Sequence, residues 1–550
     1  MQEKTVRLLD SQFAKFLAGR CGLSGRERDQ FQDLVCRLSV GLGAGDSCLV
    51  VTDCEKKLLL KSSLAGEHPI KENKALCIFG NRLYLQRIFD YERSLAGRIR
   101  LLVSHATALA AEDVFLDTLF AKAEEHETDW QRLAALRALQ HNFLIISGGP
   151  GTGKTTTVVK ILALLQSTAA GTLRIALAAP TGKAAMRLQE SIAQSLGSLT
   201  ISPAIAQSIP DKASTLHRLL GGLHHSPFFR HDGENPLLYD VVVVDEASMV
   251  DLALMSKLVA ALRPGSRLIL LGDKDQLASV ESGTVLADMT AALPGNTVEL
   301  QRSFRFDQGI KSFAAAINGG DSVAAWNLMV GDSPENVSLL QGDTAEYAGD
   351  IYCRYMREVR GAKTLATYRE LFVLFHSFKV LCALRHGPFG VQGVNEQVEQ
   401  YLTTKGYDCL GAEWYPGRPV MVTRNEYSLD LYNGDMGLCL PDPADPEVLK
   451  VWFERADGSL RGLLPGRIGS CETVYALTIH KSQGAEIGEV LVVLPGQESS
   501  LVSRELLYTA VTRARNRVRV KGLRSVFDLA VMAKIERHSG LVECLQGVAG

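Results

Sequence analysis

Residues 143–166 read FLIISGGPGTGKTTTVVKILALLQ, and this stretch decides the fold. It opens with an apolar run, continues through a glycine-rich loop and closes with apolar residues at helical spacing, which predicts a strand, a loop and a helix. The loop matches G-x-x-x-x-G-K-[ST] in full, from Gly148 to Thr155. Glycines let backbone N–H groups turn inward on an anion, and the helix start adds the positive end of its dipole. We therefore expect this loop to cradle a triphosphate.

The loop residues have distinct expected roles in nucleotide binding. Lys154 is expected to reach the β- and γ-phosphates, and the hydroxyl of Thr155 to bind Mg²⁺. The residues expected to contact the nucleotide are Gly148, Gly149, Pro150, Gly151, Thr152, Gly153, Lys154, Thr155 and Thr156. A glycine-rich turn that matches the pattern by accident is the alternative, and the flanking strand and helix disfavour it.

Other apolar runs also end in polar residues. RIALAAP at 174–180 leads into Thr181 and Lys183, which are candidates for contacts to a polymer crossing the sheet, since ligands bind at the carboxyl ends of parallel strands. YDVVVVDEASMVD at 239–251 has the run of valines typical of a strand buried on both faces, and it ends in Asp245 and Glu246. Beside a phosphate loop, the first carboxylate is expected to hold Mg²⁺ and the second to polarise the attacking water.

Two further segments offer side chains for the attack of water on the triphosphate. RLILLGDKDQLASVESG at 267–283 places Gln276 in a polar turn after a strand, where an amide could touch both the γ-phosphate and the water. LQRSFRF at 300–306 offers Arg302 and Arg305, either of which could act as an arginine finger. The chain shows no convincing nuclease centre.

Composition narrows the class of protein. The chain has 550 residues, 46% of them hydrophobic and 22% charged, which is ordinary for a globular protein of several domains. Its net charge of −2 gives no global basic signature, so any nucleic acid must be bound by local grooves. The 11 cysteines form no C-x-x-C pair, so a zinc or iron–sulfur site is unsupported and reduced thiols in the cytoplasm are expected. We expect neither a signal peptide nor a membrane span.

The pattern of apolar runs and turns predicts an α/β protein with two P-loop lobes built on parallel sheets. The predicted domains are a mainly helical N-terminal docking domain at 1–115, a first ATPase lobe at 116–310 with an inserted hairpin near 200–238, a second lobe at 311–414 and 473–550, and a small all-β barrel inserted at 415–472. Within the first domain, 76–88 reads as a hairpin that turns at Gly80 and Asn81.

Several residues are candidates for contact with nucleic acid. His217 lies in a segment rich in histidine and aromatic residues, where nearby His224, His225 and His231 lack acidic or cysteine partners at metal-ligand spacing. Arg424 lies in the predicted barrel, and Thr478, His480 and Lys481 crowd the end of a strand in TVYALTIHKSQGAEIGEVLVVLP at 473–495. SRELLYTAVTRARNRVRV at 503–520 is predicted to be a helix with Ser503 as its N-cap and Arg513 near its end.

Taken together, these segments resemble superfamily 1 helicases that move 5′ to 3′ on single-stranded DNA, and most closely the α subunits of exonuclease V, the RecBCD recombination enzyme. The resemblance covers about residues 116–525. The segments that carry it are GGPGTGKTTT (148–157), APTGKAAMRL (179–188), STLHRLLG (214–221), VVVDEASMVD (242–251), LGDKDQLASVESG (271–283), SFRF (303–306), LCALRHGPFGVQGVN (381–395), GRPVMVTRNEYSLDLYNGDMG (417–437), TIHKSQGAE (478–486) and YTAVTRARNRV (508–518).

The resemblance implies roles for individual residues and for the whole chain. It implies ATP as the nucleotide, with adenine recognition by Gln131, Mg²⁺ coordination by Thr155 and Asp245, and Glu246 as the catalytic base. It makes Gln276 the γ-phosphate sensor and Arg305 and Arg513 two arginine fingers, and it puts Thr181, His217, Thr478 and His480 along the DNA path. Lys183, Arg424 and Lys481 stay DNA-contact candidates from their positions in the sequence alone. It further implies a heterotrimer with RecB-like and RecC-like subunits, single-stranded and duplex-end DNA as partners, and work in double-strand break repair.

Two rival functions remain at this stage. A stand-alone 5′-to-3′ helicase would unwind DNA without partners, and an ATP-dependent regulatory switch would bind DNA without translocating. Glu246 and the two candidate arginine fingers argue against the switch, since a switch has no need of fast hydrolysis. An RNA substrate is also open, because nothing in the sequence reads the 2′-hydroxyl directly.

Overall fold

The computed structural model describes residues 6–67, 72, 74–104, 113–120, 129–169, 171–223, 226–279, 281–301, 308–331, 336–455 and 458–547. The chain divides into two compact units. The first comprises Met1–Lys274, Ala278–Ser303 and Glu536–Gly550, and the second comprises Asp275–Leu277 and Phe304–Ile535. These units are larger than the domains expected from the sequence, and the division into four domains stays a prediction.

The N-terminal part of the first unit is mainly helical. Its elements are α1 (Leu8–Ala18), α2 (Gly25–Gly43), β1 (Leu49–Val50), α3 (Asp53–Leu60), β2 (Ala65–Gly66), β3 (Leu76–Phe79), β4 (Arg82–Leu85) and α4 (Gln86–Ser104). The strands form a sheet in the order β1-β4-β3-β2. The predicted hairpin is confirmed, because β3 and β4 pair antiparallel from Leu76 opposite Leu85 to Phe79 opposite Arg82. Gly80 turns the chain with a φ of +62°.

A six-stranded parallel sheet forms the centre of the first unit. The elements that follow α4 are α5 (Asp113–Leu119), α6 (Trp130–Gln140), β5 (Phe143–Ser147), α7 (Lys154–Thr168), β6 (Ile175–Ala179), α8 (Gly182–Ser198), α9 (Pro203–Ser208), β7 (Ser214–Thr215), α10 (Leu216–Leu220), β8 (Val241–Val244), α11 (Leu252–Ala260), β9 (Arg267–Gly272), α12 (Val285–Ala292) and β10 (Thr297–Glu299). The strand order is β10-β5-β9-β8-β6-β7, and every neighbouring pair is parallel.

The apolar runs of this sheet are buried on both faces. Along β8, Val242 and Val244 pack into one core with residues of α4, α11 and α12. Val241 and Val243 point the other way, into a second core with residues of α6, α7 and α8. Because side chains alternate along a strand, an unbroken run of valines fills both cores at once.

The second unit is built on a five-stranded parallel sheet. Its elements are α13 (Gln308–Gly319), α14 (Ser322–Val330), β11 (Val337–Leu339), α15 (Thr344–Gly361), α16 (Leu365–His376), β12 (Phe378–Cys382), α17 (Val391–Thr404), β13 (Pro419–Val422), β14 (Met436–Asp442), β15 (Asp445–Glu454), β16 (Leu460–Leu463), β17 (Cys471–Thr473), β18 (Ala476–Thr478), β19 (Ile487–Val493), α18 (Arg504–Val511), β20 (Ala514–Lys521) and α19 (Arg524–Met532). The parallel sheet has the order β11-β20-β19-β12-β18. The predicted α/β class with two parallel-sheet lobes is confirmed.

The all-β insert of the second unit is also present. Strands β13 to β17 form an antiparallel sheet in the order β16-β15-β14-β13-β17. It has an apolar cluster of its own, which includes Val420, Val422, Cys439 and Phe453. The predicted turn at 433–435 lies between β13 and β14, where Gly434 N donates to Val422 O at 2.8 Å.

Two features differ from the sequence expectation. The helix predicted over 503–520 ends at Val511, and Ala514–Lys521 is strand β20, where Val518 and Val520 alternate with arginines and lie in the core. The β-branched residues at a spacing of two outweigh the helical pattern there. Residues Glu536–Gly550, predicted to lie in the second lobe, belong to the first unit. There α20 (Leu541–Gln546) packs on α4 and α12, because Leu541 and Leu545 join their core.

Candidate active site

The phosphate loop joins β5 to α7 in the first unit. Gly151 and Gly153 have φ angles of +77° and +80°, a region that side chains larger than glycine disfavour. A Cβ on Gly148 would lie 2.9 Å from the carbonyl oxygen of Leu300, so this glycine is needed for close backbone approach. α7 begins at Lys154, so the last two residues of the loop motif form the start of the helix. The loop thus has the backbone shape and the helix start that an anion site requires.

Side chains of the loop and of α7 make contacts inside the loop. Lys154 Nζ donates to the carbonyl oxygens of Gly148 at 2.7 Å and Gly149 at 3.0 Å. Thr152 Oγ1 donates to Gly149 O at 2.9 Å. The ammonium of Lys154 therefore lies within the loop, where it can exchange carbonyl partners for phosphate oxygens.

The acidic pair follows β8 at the carboxyl edge of the same sheet. Burial and the neighbouring Glu246 raise the pKa of Asp245 to about 6, while Lys154 and Arg187 act in the opposite direction. Glu246 has a φ of +50°, and its N–H donates to Asp245 Oδ1 at 2.9 Å. A nearby cation stabilises the ionised form of a carboxyl group whose pKa is raised by burial. Asp245 is thus suited to hold a metal bound with the phosphates.

The residues present fit Mg²⁺ with ATP. The described part of the chain contains no group of three or more His, Cys, Asp or Glu side chains placed to hold a metal. Mg²⁺ in nucleotide sites needs no such group, since one or two protein oxygens suffice when phosphates and water supply the others. The carboxylate of Asp245 and the hydroxyl of Thr155 are oxygen donors of that kind.

Gln131 lies at the start of α6 and close to the phosphate loop. Asp129 caps the helix by accepting from Arg132 N at 2.9 Å. A Cβ on Gly153 would lie 2.8 Å from Gln131 Nε2, so the amide lies beside the last loop glycine. The predicted adenine contact is thus near the expected phosphate site, and its role stays a prediction.

Three candidate DNA contacts of the first unit lie at the carboxyl edge of its sheet. Thr181 follows β6 and caps α8 by accepting from Ala184 N at 3.2 Å. Lys183 lies in the first turn of α8. His217 follows β7, is exposed, and has its ring 5.6 Å from that of Phe229. Because β6 and β7 are parallel neighbours, these residues share one edge with the phosphate loop.

The second unit brings together two predicted catalytic residues. Arg513 Nη2 donates to Gln276 Oε1 at 2.7 Å, and both side chains are buried. Thr509, which is not among the predicted site residues, holds this pair in place. Its carbonyl accepts from Arg513 Nε at 3.1 Å, and its hydroxyl accepts from Leu277 N at 2.9 Å. Thr509 lies on α18, four residues before Arg513, and that spacing is the signal that could have found it.

The remaining DNA candidates of the second unit lie near β18, the last strand in the order of its parallel sheet, and in the insert. Thr478 ends β18 and caps a short 3₁₀ turn by accepting from Lys481 N at 3.4 Å. His480 is exposed on that turn, and Lys481 Nζ donates to Glu472 Oε1 at 2.7 Å. Arg424 is exposed in the loop after β13. Arg305, the other predicted arginine finger, lies outside the described residues, as do Arg302, His224 and His225.

Two family models and several curated proteins match this chain. The model of the AAA domain family matches residues 131–282, and that of the UvrD-like helicase C-terminal domain matches residues 473–520. RecBCD enzyme subunit RecD of Mycolicibacterium smegmatis is 41% identical over 489 residues, covering 88% of this chain and 85% of the relative. The Haemophilus influenzae RecD subunit is 34% identical over 87% of this chain and 82% of its own.

More distant similarities extend to other helicases. The ATP-dependent RecD2 DNA helicase of Deinococcus radiodurans is 32% identical over 87% of this chain and 60% of its own length. The crystal structure of a Bacteroides Pif1 helicase with ADP-AlF3 and single-stranded DNA superposes with a TM-score of 0.41 at 18% identity, covering 75% of this chain and 95% of that one.

Proposed function

The chain belongs to the family of RecD subunits of RecBCD enzymes, and on that premise we propose that it is the 5′-to-3′ DNA motor of a RecBCD-type exonuclease V. It is an ATP-dependent DNA helicase. The observation that carries the proposal is the carboxyl edge of the first parallel sheet, where the phosphate loop, Asp245, Glu246 and Thr181 all lie. The shared edge of candidate nucleotide-binding and polymer-contact residues supports the proposal.

The proposed chemistry assigns each side chain one task. ATP with Mg²⁺ supplies the phosphate bond whose hydrolysis drives the motor. Lys154 would bind phosphate oxygens, Thr155 and Asp245 would hold the metal, and Glu246 would accept the proton of the attacking water. Gln276 and Arg513 are proposed to act as one hydrogen-bonded pair, so that replacing either residue changes the position of the other side chain.

The partners proposed are single-stranded and duplex-end DNA together with RecB-like and RecC-like subunits, in the cytoplasm. Family membership supports the subunit partners, and all 11 cysteines are free thiols. The described part of the chain contains no helix long and apolar enough to cross a membrane. No nuclease centre is assigned to this chain, so DNA cleavage is proposed to reside in a partner. The first 115 residues are proposed to dock those partners.

Unwinding of tailed duplexes tests the proposed polarity. We expect the chain, purified away from its subunits, to unwind a duplex with a 5′ single-stranded tail and to leave a 3′-tailed duplex intact. A tailed RNA duplex serves as the substrate control, and Lys154→Gln as the ATP-dependence control. Unwinding of the 3′-tailed duplex alone would overturn the proposed polarity.

A further inference from the structure

A cluster of three charged side chains at the carboxyl edge of the second parallel sheet carries an inference that rests on the proposed function. β12 and β18 are parallel neighbours, with Cys382 opposite Thr478. Arg385 and Lys481 each lie three residues beyond that pair, on the loops that follow the two strands. Two basic residues therefore lie at the same edge as Thr478.

The third side chain, Glu472, holds both basic groups. Its Oε2 accepts from Arg385 Nη2 at 3.1 Å, and its Oε1 accepts from Lys481 Nζ at 2.7 Å. Glu472 lies on β17, the edge strand of the insert, opposite Met421 of β13. The carboxylate thus uses one oxygen for each cation, and it joins two loops of the lobe to the insert.

The cluster is open to solvent. The exposed fractions of the side chains are 54% for Arg385, 27% for Glu472 and 28% for Lys481. Two cations face a single carboxylate, so the three groups together carry a net positive charge at neutral pH. A solvent-accessible site of this kind can attract a further anion.

The chemistry of the anion follows from the geometry of Glu472. A backbone phosphodiester, like a carboxylate, shares one negative charge between two oxygens, and Arg and Lys bind either group through charge-assisted hydrogen bonds. Proteins that bind single strands use basic grooves that follow the phosphate backbone. A phosphodiester can therefore accept the same two hydrogen bonds that the carboxylate of Glu472 accepts from Arg385 and Lys481.

We propose that Glu472 holds the position of a backbone phosphate of single-stranded DNA, and that DNA binding transfers Arg385 and Lys481 from Glu472 to the phosphate. Glu472 is then a positioning residue with two effects. It keeps the two basic side chains at the sheet edge before DNA arrives. It also competes with the strand, which limits affinity and favours release during translocation.

The test measures the affinity of the full chain for fluorescein-labelled oligothymidylate by anisotropy, at salt concentrations from about 50 to about 200 mM. Glu472→Gln keeps the size of the side chain and removes its charge, so we expect tighter binding by about fivefold at low salt and a steeper salt dependence. Arg385→Ala should weaken binding and reduce the slope of log affinity against log salt by about 0.7, the value for one single-strand phosphate contact.

A double variant and a matched control sharpen the result. Glu472→Gln combined with Arg385→Ala should lose most of the gain of Glu472→Gln, because the released cation is then missing. Asp442→Asn removes a carboxylate from another ion pair of the insert, the one with Lys450. In this variant the slope of log affinity against log salt should equal that of the wild-type chain. Thermal unfolding of each variant verifies the fold.

The outcomes separate this inference from the function on which it rests. Oligothymidylate binding that Glu472→Gln leaves unchanged or weakens would overturn the role of Glu472 and leave the helicase proposal standing. A wild-type chain that fails to bind oligothymidylate would instead overturn the proposed DNA motor and this inference with it.

Discussion

Glu246 is held in a backbone conformation that few glutamates adopt. Its φ and ψ of 50° and 41° lie in the left-handed region, which costs a residue with a side chain about 1–3 kcal/mol. The N–H of Glu246 donates to Asp245 Oδ1, so the conformation also secures the neighbouring carboxylate. Strain of this kind is common at active sites.

Replacement of Glu246 by Gln should separate nucleotide binding from hydrolysis. The amide preserves size and backbone but cannot accept the proton of water, so we expect ATP hydrolysis with DNA to fall by about 100-fold or more. ATP binding should be retained, because the phosphate loop is untouched. Turnover by a coupled assay and binding of a fluorescent nucleotide measure the two effects.

The control for this variant is Glu190→Gln, which removes an exposed carboxylate of α8. Lys154→Gln is the comparison, since losing the phosphate contact should abolish DNA-stimulated hydrolysis while the fold is kept. If Glu246→Gln lost nucleotide binding together with hydrolysis, its role would be structural.

At the scale of residues, the sequence predicts which side chains belong to the site better than it predicts which of them contact each other. Gly148 to Thr155 follow a contiguous pattern, and local spacing was enough to foresee the loop shape. The bond between Arg513 and Gln276 joins residues 237 positions apart, so no local pattern contains it. Only the packing of α18 brings the two side chains together.

At the scale of elements, the segment before α20 is fastened by a buried acid of α4. Glu92 is fully buried, and its Oε1 accepts from Ser539 Oγ at 3.1 Å, from Gly540 N at 3.3 Å and from the hydroxyl of Ser47. Its other oxygen and the Tyr84 hydroxyl have no hydrogen-bond partner among the described residues. Burial raises the pKa of Glu92 above its ordinary value of 4.5.

This acid should make stability fall as pH rises. The folded state holds the proton of Glu92 more tightly than the unfolded state does, so unfolding releases a proton. The contribution of Glu92 is therefore fully present below pH 4.5 and is lost as pH rises through the raised value. In Glu92→Gln, which cannot ionise, we expect the unfolding temperature to decline less between pH 5 and pH 8 than in the wild-type chain.

Scanning calorimetry at several pH values measures the difference between the two proteins. Asp288→Asn is a second variant for the same measurement, because burial also raises the pKa of Asp288. Glu27→Gln, at an exposed ion pair with Lys61, controls for general charge effects. Identical pH dependence of wild type and Glu92→Gln would show that Glu92 is ionised in the fold.

The predicted helices and strands are confirmed where one hydrophobic pattern was strong, and the prediction is wrong where a helical and a strand pattern competed. The runs at 143–146 and 241–244 are continuous and apolar, so burial on both faces was the simple interpretation. Residues 503–520 contain a true helix start followed by alternating valines and arginines, and the helical pattern was extended too far. The strand is specified by pairing of β20 with β19 and β11, which lie elsewhere in the sequence.

At the scale of the whole molecule, the proposed assembly can be tested by isolation. We expect the tagged chain, recovered at native expression level, to bring two larger subunits in equal amounts, one of them with a nuclease centre. Mass analysis of the recovered complex measures this. The chain returning alone would favour the stand-alone helicase, and the tailed-duplex assay would then be made on the chain itself.

The architecture was predictable because both lobes repeat one local theme of strand, loop and helix. The assignment of residues 536–550 was not, because a short amphipathic helix such as Leu541–Gln546 carries no signal of which core it will join. That choice depends on the apolar surface left by α4 and α12, which only the folded unit presents.

The return of α20 to the first unit also sets an order of events during synthesis. The ribosome makes residues 541–545 after every residue of the second unit, yet Leu541 and Leu545 complete the core that Leu95 and Leu286 began. Domains usually fold as they emerge, N-terminal first. In this chain the unit that emerges first must wait, with part of its apolar surface uncovered, until translation has passed the second.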